Sequence, residues 1–148
     1  MFRAIESVFV IHIRFINTKE WRIDTAPFKP LISRLKKAVK AYDGILNVIF
    51  VNDAYIRALN KAYRKKDKPT DVLSFNYDTG FDKHGELIGE IYISVDTARK
   101  QAKEVRHTIL DELNRLFVHG FLHIHGFDHE KLSDFKKMSA VEEKILHS

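Results

Sequence analysis

The sequence predicts an α+β fold in which helices cover a mixed β-sheet. Three observations lead to this class: strand-like apolar segments lie early in the chain, one helical segment separates them, and the last third is almost wholly helical in its periodicity. The chain has 148 residues, of which 45% are hydrophobic and 30% charged. Because this length and composition suit one compact core, residues 1–148 are interpreted as a single domain.

The first half of the chain alternates strands and helices. A strand is predicted from Ser7 to Ile16, and apolar residues at helical spacing predict a helix from Pro27 to Tyr42 that ends at Gly44. Residues Ile45–Val51 are rich in β-branched side chains and predict a second strand.

The second half begins with a helix and a predicted hairpin. Asn52 or Asp53 caps a helix that continues through Tyr63. VLSFNY and LIGEIYIS predict two strands, and DTGFDKHGE between them is typical of a hairpin turn. Three further helices are predicted, over Val95–Glu104, Thr108–His125 and Ser133–Leu146.

Composition narrows the classes of function. Cysteine is absent, which excludes disulfides and thiolate ligands. No segment reaches the ~20 apolar residues of a membrane helix, and Arg3, Glu6 and Arg14 interrupt any signal-peptide pattern. We therefore expect a cytoplasmic protein without a membrane partner. The net charge of +5 permits nucleic-acid binding but does not require it.

Four of the eight histidines fall within the segment HGFLHIHGFDH. His119 and His123 are four residues apart and share one face of a helix. Gly126 can adopt the left-handed conformation that ends a helix and turns His129 back toward them. Three imidazoles with a fourth position open for water are typical of a catalytic zinc site. His125 lies on another face, so a structural role is expected for it.

The same spacing, H-x3-H-x5-H with a glycine between, matches the metzincin proteases. Those proteases place a glutamate general base after the first histidine, where this chain has Gly120. A metallopeptidase on the same zinc scaffold is thus an alternative that lacks its base.

Several segments resemble the YbeY family of bacterial endoribonucleases. HGFLHIHGFDH is similar to the family pattern H-G-x-L-H-L-x-G-Y-D-H, and LNKAYRKKDKPTDVLSF to L-N-x-x-Y-R-x-x-D-x-P-T-D-V-L-S-F. LIGEIYIS and the tail with Met138, Glu142 and Leu146 are similar as well. The resemblance runs from about Val51 to the C-terminus, with Phe127 in place of a tyrosine.

This resemblance implies a single-strand-specific endoribonuclease with one Zn²⁺ per chain. It implies that His119, His123 and His129 bind the metal, and that Arg64 of the Y-R motif binds substrate and acts in catalysis. The implied work is ribosomal RNA processing, notably maturation of the 3′ end of 16S rRNA, and ribosome quality control. Single-stranded RNA and the small ribosomal subunit are the implied partners.

A basic segment surrounds Arg64. Six residues between positions 61 and 68 are charged, and five of these are positive. A guanidinium can bind a phosphate through two hydrogen bonds, although such a segment can also be a solvated turn. We predict Arg64 and His119 as catalytic residues, and Arg64, Lys65 and Lys66 as substrate-binding residues.

Other polar and aromatic residues remain open. Asp71 could orient Arg64, accept a hydrogen bond from a ligand histidine, or cap a turn; Asp128 is equally ambiguous. Glu112 is expected on the helix surface. Phe75, Tyr77 and Phe81 either stack on bases or pack in the protein. A non-catalytic, zinc-stabilised ribosome-binding factor is the second alternative to a nuclease.

Overall fold

The structure is a computed structural model that describes residues 10–40, 43–77, 86–127 and 132–147. The strands are β1 (Ile11–Ile16), β2 (Gly44–Val51), β3 (Val72–Asn76) and β4 (Leu87–Ser94). The helices are α1 (Thr18–Trp21), α2 (Phe28–Ala38), α3 (Asp53–Arg64), α4 (Val95–Val105), α5 (Ile109–Ile124) and α6 (Leu132–Leu146).

The four strands form one mixed sheet in the order β1-β2-β4-β3. β1, β2 and β4 are parallel, whereas β3 runs antiparallel to β4 with Asn76 opposite Gly89. This arrangement confirms the predicted α+β class with a mixed sheet. The predicted hairpin strands pair as expected, but residues 78–85 of the turn lie outside the described residues.

Two apolar clusters lie on opposite faces of the sheet. The larger one joins the sheet to α2, α5 and α6, with the rings of Phe28 and Phe117 centred 5.3 Å apart. The smaller one lies under α3 and consists of Ile49, Val51, Ile56 and Leu73. One face of the sheet therefore has a deep core, whereas the other has a shallow one.

Helix α5 is the element that positions the histidines. Its N-cap Thr108 accepts a hydrogen bond from the backbone N–H of Asp111, and the Asp111 carboxylate accepts one from the backbone N–H of Thr108. Gly126 has φ 90°, the left-handed conformation expected after a helix. Gly126 was the predicted end signal, and the predicted helix, Thr108–His125, has nearly the observed bounds.

The first half differs from the prediction at the end of α2, at Gly44, in α1 and at the start of β1. Helix α2 ends at Ala38 because Val39 is extended, and a half-buried Val39 side chain packs on the core from that backbone. Gly44 does not end a helix; it begins β2 with φ 132°. The short helix α1 was not predicted. Strand β1 begins at Ile11, and residues 7–9 and Tyr42 lie outside the described residues.

No helix in the described part of the chain is both long and apolar enough to cross a membrane.

Candidate metal centre and its cavity

Two of the three predicted metal ligands converge on α5. The Nε2 atoms of His119 and His123 lie 3.2 Å apart. Two nitrogens that each bind one tetrahedral zinc at ~2.0–2.1 Å are separated by roughly 3.3 Å. The two rings therefore fit a shared zinc ion through their Nε2 atoms.

Glu142 of α6 holds the other side of His119. Its Oε1 lies 2.8 Å from His119 Nδ1. Because a carboxylate only accepts, this contact places the proton on Nδ1 and leaves the Nε2 lone pair facing His123. A carboxylate in this position is the usual partner of a metal-binding histidine. Sequence reasoning assigned no role to Glu142.

The third predicted ligand, His129, lies outside the described residues, as does Asp128. Among the residues that are described, no group of three His, Asp or Glu side chains is arranged to hold a metal ion. A three-histidine centre thus depends on His129 and remains a prediction.

His125 has the structural role expected for it. Its Nδ1 donates to the carbonyl oxygen of Phe121 at 2.8 Å, and its ring stacks on that of Phe121 with centroids 4.2 Å apart. Burial lowers the pKa of the His125 imidazole, which favours the neutral ring.

A cavity of about 540 Å³ opens beside the two histidines. Its polar lining includes Arg64, Lys66, Asp71, Ser74, His119 and His123. The basic end of α3 and the histidine face of α5 thus meet in one place. Lys65 is exposed with φ 58° at the end of α3 and is not among the residues that line the cavity.

The edge strand β3 forms one wall of the cavity through Ser74 and Asn76. Asn76 Nδ2 donates to the carbonyl oxygen of Ile124 at 2.8 Å, which fixes β3 against α5. Arg64 Nη2 lies 3.4 Å from the carbonyl oxygen of Ser74, so its guanidinium reaches the strand at the cavity rim. These contacts hold β3 against α5 and keep Arg64 at the cavity that the two histidines also line.

Gly120 faces the sheet. A Cβ atom at this position would lie 2.7 Å from Ile91 Cγ2 and 3.1 Å from Ser74 Oγ. A glutamate therefore has no room here, and a side chain would start toward Ile91 of β4. The chain therefore lacks the glutamate base of the proteases, and the packing around Gly120 leaves no space for one.

The structure corrects the expectation for Glu112, which is 1% exposed. Its Oε1 accepts from Arg115 Nε at 2.5 Å, and its Oε2 lies 3.2 Å from His107 Nε2. Buried carboxylates need such partners, and here both come from nearby in the chain. A local charge cluster, rather than solvent, surrounds Glu112.

Asp71 belongs to the same cluster. Its Oδ1 accepts from the backbone N–H of Val72 at 2.8 Å, and its Oδ2 lies 3.6 Å from Arg115 Nη2. Of the roles left open by the sequence, these contacts favour the fixing of a turn at the entrance to β3. Arg115, which sequence reasoning missed, connects that turn to α5.

Comparisons with known proteins agree with this architecture. The sequence pattern of the family described as endoribonuclease YbeY matches residues 14–148. Relatives with that description include one from Acholeplasma laidlawii, 38% identical over 93% of this chain and 96% of its own. Another, from Heliobacterium modesticaldum, is 42% identical over 72% of this chain and 70% of its own.

A solved structure has the same fold. The solution structure of TM1509 from Thermotoga maritima aligns with a TM-score of 0.56 and 30% identity, over 90% of this chain and 89% of that one. The resemblance found in the motifs therefore extends through nearly the whole chain and into its three-dimensional arrangement. This chain belongs to the endoribonuclease YbeY family.

Proposed function

We propose that this chain is a zinc-dependent endoribonuclease that cleaves unpaired RNA, with the ion held by His119, His123 and His129. The observation that carries the proposal is the convergence of the His119 and His123 Nε2 atoms, 3.2 Å apart, beside a cavity that Arg64 also lines. When bound, zinc supplies a Lewis acid that can lower the pKa of water to ~7.

Four side chains of the protein have separate roles in this proposal. Glu142 keeps the His119 ring oriented with Nε2 toward His123, where the two nitrogens would hold the ion. Arg64 binds the phosphate and neutralises the charge that develops during attack. Lys66, on the cavity wall, adds positive charge that attracts the RNA backbone, and Lys65 contributes to the same potential from outside the cavity.

The substrate follows from the family and from the charge of the site. We assign the activity to ribosomal RNA processing, including the 3′ end of 16S rRNA, and to quality control on the small ribosomal subunit in the cytoplasm. The charged residues that line the cavity are Arg64, Lys66 and Asp71, and Asp71 also faces Arg115, so the net charge is positive and suits a polyanion better than a peptide. The closed space at Gly120 also argues against a peptidase.

The test compares metal-stripped, zinc-reloaded and manganese-reloaded protein on single-stranded and duplex RNA of the same sequence. We expect the zinc form to cleave the single strand and to spare the duplex, and the stripped form to be inactive. RNA binding without cleavage by the zinc form would instead support a non-catalytic binding factor. Release of peptides from casein would support the peptidase.

A further inference from the structure

Four aromatic rings lie in contact on the face of the sheet that carries α3. Tyr55 stacks on Tyr92 with centroids 6.1 Å apart, Tyr92 meets Phe75 edge to face at 5.8 Å, and Phe75 meets Tyr63 at 5.3 Å. We call these four residues the aromatic face. They come from α3, β3 and β4, so the fold alone brings them together.

Two rings of the aromatic face pack on the protein core, and the other two are exposed to solvent. Phe75 and Tyr92 pack on the shallow cluster that contains Ile56 and Leu73. Tyr55 and Tyr63 are 52% and 68% exposed. Single exposed aromatics are common on protein surfaces, whereas a continuous group on a rigid base is typical of a binding surface.

Positive charge borders the aromatic face. All five cations between positions 61 and 68 are exposed, namely Lys61, Arg64, Lys65, Lys66 and Lys68. The one carboxylate among them, Asp67, accepts from Arg57 Nε at 2.8 Å, and this hydrogen bond keeps its pKa below the usual value. Because Asp67 is paired with Arg57, it offsets little of the positive charge of this segment. The Glu90 carboxylate also lies against the rings, with its Oε1 3.2 Å from Tyr92 Oη, so the basic border is on the Tyr63 side of the aromatic face.

The aromatic face is continuous with the candidate metal centre. On β3, Phe75 points to the aromatic face, whereas Ser74 and Asn76 line the cavity. Tyr63 precedes Arg64, whose guanidinium reaches the Ser74 carbonyl oxygen at the edge of the sheet. A chain that crosses this edge would pass from the rings to the histidines by way of Arg64.

We propose that the aromatic face binds unpaired bases of the RNA strand whose backbone enters the cavity. Tyrosine rings stack on bases of any sequence, and neighbouring cations hold the phosphates between them. A duplex buries the faces of its bases, so this surface would select single strands by shape rather than by sequence. The inference rests on the proposed function and specifies where its substrate lies.

The test measures binding of a fluorescent single-stranded RNA to the zinc-loaded full chain, by anisotropy read before turnover. Tyr63→Leu and Tyr55→Leu remove a ring, while Tyr63→Phe and Tyr55→Phe are matched controls that keep it. We expect each leucine variant to bind about 5-fold or more weakly, the usual effect of one stacked base, and the phenylalanine variants to bind as the wild type does. The slope of affinity against salt should not change, because no phosphate contact is lost.

The RNA supplies a second arm. An oligonucleotide with abasic positions should bind the wild type as weakly as the intact one binds Tyr63→Leu, and the two changes should not add. Wild-type affinity in both folded leucine variants, as expected if this face docks a protein instead, would overturn the inference. Failure of the zinc-loaded wild type to cleave the RNA would overturn the proposed function, and the binding comparison would still decide the role of the aromatic face.

Discussion

Glu142 Oε1 lies 2.8 Å from His119 Nδ1, across 23 residues of sequence and between two different helices. The contact makes α6 part of the candidate metal centre, because it sets which nitrogen of His119 would be available to an ion.

We expect Glu142→Ala to weaken zinc binding about 10- to 100-fold, the usual effect of removing a partner of a ligand histidine. Glu142→Gln keeps a hydrogen-bond acceptor but loses the charge, so its zinc affinity should lie between those of the wild type and Glu142→Ala. Zinc affinity is measured by competition with a chromogenic chelator. The matched control is Glu143→Ala, because the neighbouring Glu143 is an exposed surface residue. Equal zinc affinity in Glu142→Ala and Glu143→Ala would refute the role of Glu142.

Zinc content tests the ligand set. Purified protein should carry close to one zinc per chain, and His119→Ala, His123→Ala and His129→Ala should each lose it. His125→Ala should keep it, because the His125 ring is engaged with Phe121. The check is elemental analysis of each variant after dialysis, and an empty site in His125→Ala would contradict the assignment.

Arg64→Ala should slow cleavage far more than it weakens RNA binding, since a guanidinium that stabilises developing charge acts only as the phosphate is attacked. A loss of ~10²–10³ in rate is typical of one positioned donor. Arg64→Lys should recover little, and Lys65→Ala should affect mainly binding. Single-turnover cleavage at saturating protein separates the two effects. A wild-type rate for Arg64→Ala under saturation would make it a binding residue only.

Gly120→Glu should not create a peptidase and should destabilise the fold. The new side chain would meet Ile91 at once and would bring a carboxylate into the interface between α5 and the sheet. Overpacking alone costs about 1–3 kcal/mol. Thermal unfolding gives the effect, with Ala58→Glu on the exposed side of α3 as the control. A fully stable Gly120→Glu would contradict the packing described for α5.

Glu112→Ala should lower the free energy of unfolding by about 1.5–3 kcal/mol, the range for hydrogen bonds to charged groups. The substitution leaves Arg115 and His107 without the acceptor between them. Chemical denaturation measures the change, and an exposed-site control such as Glu143→Ala should stay within ~0.5 kcal/mol. A similarly small effect of Glu112→Ala would show that the contacts of Glu112 contribute no more to stability than those of an exposed glutamate.

Features that are set by neighbouring residues were predicted well from the sequence, whereas features that depend on contacts between distant residues were not. Helix α5 was predicted almost to the residue because its helical periodicity and the glycine that ends it, Gly126, are both local signals. The end of α2 was missed because the spacing of Val39 suits both a helix and an extended segment that packs on the same core.

The charged residues of the site show the same limit. Glu142 and Glu143 are adjacent glutamates. The resemblance of the tail includes Glu142 but gives it no role, and only the docking of α6 on α5 shows that it meets His119. The burial of Glu112 could have been suspected from Arg115, three residues later, but a charged pair at that spacing is more common on a helix surface. The pairing of β3 with β4 was predicted from the hairpin pattern, but the position of β4 beside β2 depends on long-range pairing that no local pattern specifies.

The position of Arg64 and Lys66 beside β3 bears on self-association. β3 is an edge of the sheet and has backbone groups on its open side that could pair with a strand from another molecule. Cations along such an edge oppose that pairing, because two copies would bring like charges together. Variants that neutralise several of these cations should therefore be more prone to aggregate through this edge.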